Sequence, residues 1–354
     1  MQQIGCFISP HGFGHATRAI AVLEALQSLC PDLHTHIFTT VPESIFRQNL
    51  TNITYHQVVT DIGLTQTSAL EADIPATISR LDAFLPYRQE LIDVLGERCR
   101  HCLFLLCDIA PLGISVAKKI GIPSILVENF TWDWIYSPYS KKYPELNKHI
   151  QAFKKIFAQA SFHIQTKPLC QATHRDLNCG PIFRTLRQRP AIIRQQLGCD
   201  DNKMILITMG GVAQQFPLWD NLSRFSEYFF VFTGQATTKH QAKNILLLAR
   251  FSKLYHPDLI AAADLVVCKA GYSTIAECYQ AGVRVISVGR DDFPETAPLQ
   301  SFIQKALNGV TIGTDSFLTG HWLSIIPNLL LQSRPLPAPE NGASSVASFL
   351  NNFL

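Results

Sequence analysis

The sequence lacks any strong charge bias. Its 354 residues include 30 Lys and Arg against 27 Asp and Glu, which gives a formal net charge of +3. No run of five or six like charges occurs anywhere in the chain. Because neutralising phosphates requires a basic face, we do not expect nucleic acid as a partner.

Long apolar runs are also missing. The most apolar stretch, 102–117, contains Asp108 near its centre, followed by Pro111 and Gly113. A membrane-spanning helix needs about 20 predominantly apolar residues, and no secretory signal is visible at the N-terminus. We therefore expect a cytoplasmic protein with no transmembrane segment. Peripheral membrane contact is left open by the sequence.

The ten cysteines form no complete metal-binding pattern. One Cys-x-x-Cys occurs, at Cys99 and Cys102, and no second pair follows at the spacing of a zinc site. Several other cysteines lie inside apolar runs, as small hydrophobic side chains do. The expectation is buried, reduced thiols and no metal site.

What the sequence has instead is a repeated alternation of strand-like and helical segments. The strand-like runs are 4–8, 36–40, 53–58, 103–107, 124–127, 162–165, 204–208, 229–232, 244–247, 264–268, 284–288 and 310–312. Repeated β-α-β order predicts right-handed crossovers and parallel sheets. The region 166–202 shows no clear strand and suits a linker with an opening helix.

The predicted fold class is α/β, with two Rossmann-like, doubly wound parallel-sheet domains of six strands each, facing a cleft. A prior of about 150 residues per domain agrees with two domains. We assign residues 1–185 to an N-terminal domain, 186–335 to a C-terminal domain, and 336–354 to a C-terminal tail and helix.

Unusual local sequences follow the strands at which such sheets bind ligands. A doubly wound sheet binds its ligand just beyond the carboxyl ends of its first and fourth strands. In the first domain these positions are 9–15 and Asp108, and in the second they are 210–211 and 269–274. The sequence therefore predicts one ligand-binding edge in each domain.

The edge of the first domain carries a candidate base. Gly12 and Gly14 allow the backbone to turn tightly beside a ligand, and His15 can accept a proton near neutral pH. Strands one and four are neighbours in the usual order, so Asp108 can reach the imidazole and hold it in the basic tautomer. The alternative is a loop histidine without chemistry and an aspartate that caps the next helix.

Two common nucleotide-binding motifs are incomplete. Gly12-x-Gly14-x-x-Thr17 lacks a third glycine, and the second strand ends in Thr39-Thr40 without a ribose-binding acid, which disfavours a nicotinamide dehydrogenase. The sequence contains no G-x-x-x-x-G-K-[ST], which excludes a P-loop NTPase.

The second domain offers a candidate diphosphate site. Glycines follow its first strand directly, and Lys269 precedes a helix whose free amides and hydroxyls suit a diphosphate. Glu277 is predicted on the first turn of that helix, where its carboxylate can accept two ribose hydroxyls, although an ordinary capped helix is the alternative. The residues assigned to nucleotide-sugar binding are Gly12, Gly14, Gly210, Gly211, Lys269, Gly271, Tyr272, Ser273, Thr274, Glu277, Asp291 and Glu295.

Two further segments each have two interpretations. Asp291 and Glu295 follow the fifth strand of the second domain and could bind sugar hydroxyls, while Asp291 or Asp292 could equally start the next helix. The aromatic segment 129–134 could stack on a sugar ring, but aromatic residues at this position favour the core.

Five segments, in order, resemble a known family. They are 11–18, 129–136, 269–277, 290–299 and 317–322, and they are similar to the glycosyltransferase-like N-terminal region of plant L-arabinokinases. More distantly, the first-strand Gly-x-Gly-His and the later Gly-Tyr-Ser-Thr-Ile-Ala-Glu resemble UDP-glycosyltransferases and the peptidoglycan N-acetylglucosaminyltransferase. The resemblance runs from about residue 4 to residue 350 and implies the GT-B fold, with an acceptor-side N-terminal domain and a nucleotide-sugar-binding C-terminal domain.

The resemblance implies an inverting, metal-independent transfer from a nucleotide-diphosphate sugar, expected to be UDP-linked, to an unspecified hydroxyl acceptor. His15 would match the family's base and Asp108 its supporting aspartate. Gly271, Ser273 and Thr274 would match the diphosphate loop, and Glu277 the ribose-binding glutamate. The nucleotide sugar is a co-substrate, so no cofactor is expected.

Two other function classes are carried alongside this one. A nucleotide-sugar 2-epimerase would use His15, Asp108, Asp291 and Glu295 at the second carbon of the sugar. A non-catalytic nucleotide-sugar-binding protein would bind without turnover. The family's usual Asp-Gln pair is replaced near Pro294-Glu295, so the donor sugar is not specified.

Overall fold

The chain divides into two compact units. The computed structural model describes residues 2–68, 71–173, 175–199, 201–210, 219–250, 252–290 and 293–354. Unit 1 comprises Met1–Gln66, Ala72–Phe183 and Asn341–Leu354, and unit 2 comprises Thr67–Glu71 and Arg184–Glu340. The segment predicted as a separate tail, 336–354, is divided between them, and its helix belongs to unit 1.

The strands lie close to the predicted runs. They are β1 (Gln3–Ile8), β2 (His34–Thr39), β3 (Ile53–Gln57), β4 (Leu105–Asp108), β5 (Ser124–Glu128), β6 (Phe162–Thr166), β7 (Leu177–Cys179), β8 (Lys203–Thr208), β9 (Tyr228–Gln235), β10 (Lys239–Ala242), β11 (Ile245–Ala249), β12 (Leu265–Lys269), β13 (Arg284–Val288) and β14 (Val310–Ile312).

Helices separate most of these strands. They are α1 (Gly14–Leu29), α2 (Glu43–Arg47), α3 (Ile74–Phe84), α4 (Gln89–Cys99), α5 (Pro111–Ile120), α6 (Trp132–Tyr136), α7 (Leu146–Phe157), α8 (Pro190–Leu197), α9 (Trp219–Ser223), α10 (His256–Ala262), α11 (Tyr272–Ala281), α12 (Thr296–Leu307), α13 (Thr314–Thr319), α14 (Ile326–Leu331) and α15 (Gly342–Asn351). Within the described ranges, no helix has the length and apolar content needed to cross a membrane.

Each unit is built on a seven-stranded sheet. The strand order in unit 1 is β3-β2-β1-β4-β5-β6-β7, with parallel pairing throughout. The order in unit 2 is β10-β11-β9-β8-β12-β13-β14, and the β10–β11 pair is antiparallel. The predicted α/β class with two doubly wound parallel-sheet domains is confirmed.

The predicted count of six strands per sheet is wrong. β7 lies in the region assigned to a linker, and its three residues are too few to show a periodic pattern. β10 reads Lys-His-Gln-Ala and is mostly exposed at the sheet edge, so it lacks the apolar signature of the buried strands. The central strands were easier to predict, because burial on both faces makes them continuous apolar runs.

The C-terminal helix α15 completes the core of unit 1 and packs on α1. Val346 and Leu350 are fully buried there, in the cluster that also contains the apolar face of α1. Asn341 caps the helix through the amide of Ala343, and its side-chain amide donates to the carbonyl of Phe183. The last residues of the chain therefore stabilise the unit that contains the first.

We predict that Gly342→Ala destabilises unit 1 even though alanine favours helices. An added Cβ at position 342 would collide with the backbone carbonyl of Gly180, and overpacking of this kind costs about 1–3 kcal/mol. The measurement is the urea-unfolding midpoint. Gly180→Ala is the matched control, because an added Cβ there meets no atom within 4 Å. Equal midpoints for the two variants would contradict this packing.

Candidate active site

The register of unit 1 brings the predicted residues to one edge of the sheet. Ile8, the last residue of β1, pairs with Asp108, the last residue of β4. Gly12 then adopts a left-handed conformation with φ of 76°, which a residue without Cβ tolerates. Helix α1 begins at Gly14, so His15 lies in its first turn, close to the end of β4.

Asp108 is a buried carboxylate held by a buried arginine. Arg18 Nε donates to Oδ2 over 2.7 Å and Nη2 donates to Oδ1 over 2.6 Å, with both side chains at most 2% exposed. Burial raises the pKa of Asp108, but the charge and hydrogen bonds of Arg18, with a contribution from His15, outweigh it and hold the pKa below its ordinary value. The carboxylate is therefore ionised near neutral pH.

His15 contacts this carboxylate as predicted. Its Nδ1 lies 3.0 Å from Asp108 Oδ1 and 3.3 Å from Arg18 Nη2. An ionised carboxylate only accepts hydrogen bonds, and it is the nearer neighbour, so we infer that Nδ1 carries the proton. Nε2 then presents a lone pair, and among the described residues it has no hydrogen-bond partner.

One neighbour, Asn129, extends the pair into a network that the sequence did not reveal. Arg18 Nη1 donates to Asn129 Oδ1 over 2.7 Å, which ties α1 to the end of β5. Ile109, directly after Asp108, has φ of 41°, an unfavourable conformation for a β-branched residue. From the sequence, Arg18 is included in the segment 11–18 but is given no role. Its spacing of three residues from His15, which places both on one face of a helix, is the sequence signal that could have identified it.

In unit 2, Lys269 lies against the loop that follows β8. Gly210 has φ of 71°, and a Cβ added there would lie 2.6 Å from Lys269 Cε. Burial and the neighbouring Arg290 lower the pKa of Lys269 to about 8, against the opposing effect of Glu295. The structure therefore brings Lys269 and Gly210 together, while Gly211 lies outside the described residues.

Glu277 lies on the second turn of α11, because the helix begins at Tyr272. The predicted first-turn position is wrong. Its Oε1 accepts from Nε and Nη2 of Arg184 over 2.9 and 2.8 Å, and Oε2 lies 2.9 Å from Nδ1 of His256. Burial raises the pKa of Glu277, but Arg184 and His256 outweigh it and leave the pKa lowered. Sequence reasoning missed both partners, which lie far from Glu277 in the chain.

The other predicted residues of unit 2 lie near these groups in sequence. Gly271 precedes α11, and Ser273 and Thr274 are half-buried in its first turn. Tyr272 is buried. Glu295, also buried, immediately precedes α12, while Asp291 lies outside the described residues.

Known proteins resemble both the sequence and the fold. Residues 212–297 match the glycosyltransferase family 28 C-terminal domain. L-arabinokinase from Arabidopsis thaliana is 27% identical over 325 residues, which are 89% of this chain and 31% of that protein. The chain thus spans about a third of the length of this relative.

Solved structures of glycosyltransferases are similar to this chain in fold. A UDP-glucose: anthocyanidin 3-O-glucosyltransferase in complex with UDP has a TM-score of 0.65 at 11% identity, covering 99% of this chain and 98% of that one. MurG of Acinetobacter baumannii has a TM-score of 0.54 at 15% identity, covering 99% and 100%. This chain has the GT-B glycosyltransferase fold. Residues 212–297 of this chain are in addition similar to a glycosyltransferase family domain.

We predict that Arg18→Met strongly destabilises the protein. Removing one partner of a buried ion pair costs about 3–5 kcal/mol, whereas breaking the exposed Arg47–Glu43 pair with Arg47→Met, the control, costs at most about 1 kcal/mol. The measurement is urea unfolding as a function of pH.

The sign of the pH dependence follows from the lowered pKa of Asp108. Its ionised form stabilises the native state above the ordinary aspartate pKa, and that contribution disappears as pH falls through the native pKa. The difference in the free energy of unfolding between wild type and Arg18→Met should therefore narrow as pH falls below about 4. A difference in the free energy of unfolding that stays constant with pH would contradict the lowered pKa assigned to Asp108.

Proposed function

We propose that this chain is an inverting glycosyltransferase that moves a sugar from a nucleotide-diphosphate sugar to a hydroxyl acceptor. The observation that carries the proposal is the buried Arg18–Asp108–His15 arrangement at the carboxyl ends of β1 and β4 in unit 1. It meets the requirements of a general base: a proton-accepting nitrogen, a carboxylate that orients it, and a fixed charge on that carboxylate.

In the proposed reaction His15 Nε2 takes the proton of the acceptor hydroxyl as its oxygen attacks the anomeric carbon. The bond from that carbon to the diphosphate oxygen breaks, and the nucleoside diphosphate leaves with the electron pair. Asp108 stabilises the imidazolium that forms, and Arg18 keeps Asp108 ionised. A single displacement of this kind inverts the anomeric configuration.

In this proposal, groups of unit 2 bind the departing diphosphate. Lys269, with its pKa of about 8, is mostly cationic at neutral pH, and its side chain lies over the Gly210 turn. The N-terminus of α11 adds partial positive charge. These groups stabilise negative charge that grows on the leaving group, and we propose that they do so without a metal ion.

Glu277 is the proposed ribose-binding group. Arg184 contacts one of its carboxylate oxygens and His256 contacts the other. Because each carboxylate oxygen has more than one acceptor site, Glu277 can also accept hydrogen bonds from ribose hydroxyls. We propose a UDP-linked donor because the structural relative described above was solved in complex with UDP.

His15→Ala is expected to lower kcat by about 10²–10⁴-fold, the range typical of general-base removal. The donor dissociation constant, measured by calorimetry, should stay within about twofold because the diphosphate and the ribose of the donor are assigned to unit 2. Turnover is followed as release of nucleoside diphosphate across a panel of hydroxyl acceptors. Exposed His101 provides the control, His101→Ala, which should behave as wild type. Full turnover by His15→Ala would remove the base assignment.

Glu277→Ala is expected to weaken binding of UDP by about 10–100-fold, since a hydrogen bond to a charged group contributes about 1.5–3 kcal/mol. Isothermal calorimetry with UDP, and with ADP and GDP for comparison, measures the change. Exposed Glu340 of the same unit serves as the control through Glu340→Ala. Unchanged UDP affinity in Glu277→Ala would rule out the ribose assignment.

A further inference from the structure

A second buried carboxyl, Asp61, lies in the loop after β3 and is 1% exposed. Ser9 Oγ donates to its Oδ1 over 3.1 Å, and the indole Nε1 of Trp132 donates to its Oδ2 over 3.1 Å. Within the part of the chain that the structure describes, Asp61 forms no ion pair. One carboxyl thus joins the segments that follow β1, β3 and β5.

Asp61 and Asp108 have opposite environments. The guanidinium of Arg18 is hydrogen-bonded to Asp108. Both hydrogen-bond donors to Asp61, in contrast, are neutral. Burial raises the pKa of Asp61 to about 7 and the charge of Asp108 adds to the rise, while Ser9, Trp132 and the charge of Arg80 oppose it. Two tyrosines, Tyr87 and Tyr136, also interact electrostatically with Asp61.

The two donors to Asp61 lead directly to the candidate base. Ser9 Oγ accepts the backbone N–H of His11 over 3.3 Å, at the start of the glycine turn that precedes His15. The buried indole of Trp132 lies edge-on to the rings of both histidines, with centroids 5.3 Å from His11 and 6.5 Å from His15. Moving the Asp61 carboxyl would therefore disturb both supports of this segment.

We propose that Asp61 is a positioning residue of the candidate active site and that its protonation state sets the hydrogen bonding of Ser9 and Trp132, and through them the placement of the 9–15 segment. This inference rests on the proposed role of His15. When Asp61 is ionised, both of its oxygens accept. When it is protonated, one oxygen donates, and it donates to Ser9 because the Trp132 N–H can only donate.

Two substitutions separate charge from hydrogen bonding. In Asp61→Asn the amide oxygen can accept from Trp132 and the amide nitrogen can donate to Ser9, which copies the protonated carboxyl at every pH. Asp61→Leu removes both hydrogen bonds and keeps the branching of the side chain at Cγ. Asp133→Asn is the control, because Asp133 is a carboxyl beside Trp132 in the chain whose pKa is also raised by burial.

The first experiment is a ¹⁵N NMR titration of the whole protein, with the Trp132 indole resonance assigned through Trp132→Phe. The Trp132 indole and His11 amide resonances are expected to shift together, with one shared midpoint near pH 7. Asp133→Asn and His15→Ala should keep this titration, and Asp61→Asn should lose it. Resonances that do not titrate, or that titrate equally in Asp61→Asn, would overturn the proposal.

The second experiment measures kcat and KM against pH. Asp61→Leu is expected to lower kcat at least about tenfold with donor KM within about threefold, as for lost positioning in the transition state. Asp61→Asn should retain kcat below neutral pH and lose one inflection near pH 7. Profiles of kcat against pH for these two variants that superimpose on the wild-type profile would overturn the positioning role of Asp61. If no acceptor supports turnover, the proposed function fails while the NMR titration still decides the role of Asp61.

Discussion

The candidate site of unit 1 depends on the buried ion pair between Arg18 and Asp108. Removing two charges from water costs several kcal/mol, and only close geometry with further hydrogen bonds offsets that cost. The fold supplies the geometry, because α1 starts at the turn after β1 and passes the end of β4. Once the pair is fixed, the position of His15 and its contact with Asp108 follow from helical spacing.

The two units use one architecture for opposite electrostatic purposes. At the carboxyl ends of its strands, unit 1 holds an anion, Asp108, which contacts the imidazole of His15. The corresponding strand of unit 2 ends in a cation, Lys269, beside a helix N-terminus, an arrangement that favours anionic oxygen. The near-zero net charge of the chain is compatible with this, since the relevant charges are local: Asp108 is buried and Lys269 is half-buried.

The sequence was informative where a pattern has a direct physical cause. Burial on both faces makes central strands apolar, and adjacent first and fourth strands brought His15 and Asp108 together. Contacts between residues distant in sequence, such as Arg184 with Glu277, carry no local signal and were missed. Asp61 was missed for a related reason: it lies in a loop without a motif, and its importance comes from burial beside neutral donors.

The central claim is that Asp108 holds His15 in the tautomer whose Nε2 can accept a proton. A ¹⁵N NMR measurement of the His15 imidazole at about pH 8, where a typical histidine is neutral, tests it most directly. The account predicts a protonated Nδ1 facing Asp108 and an unprotonated Nε2. A protonated Nε2, with Nδ1 accepting from Arg18 instead, would contradict it.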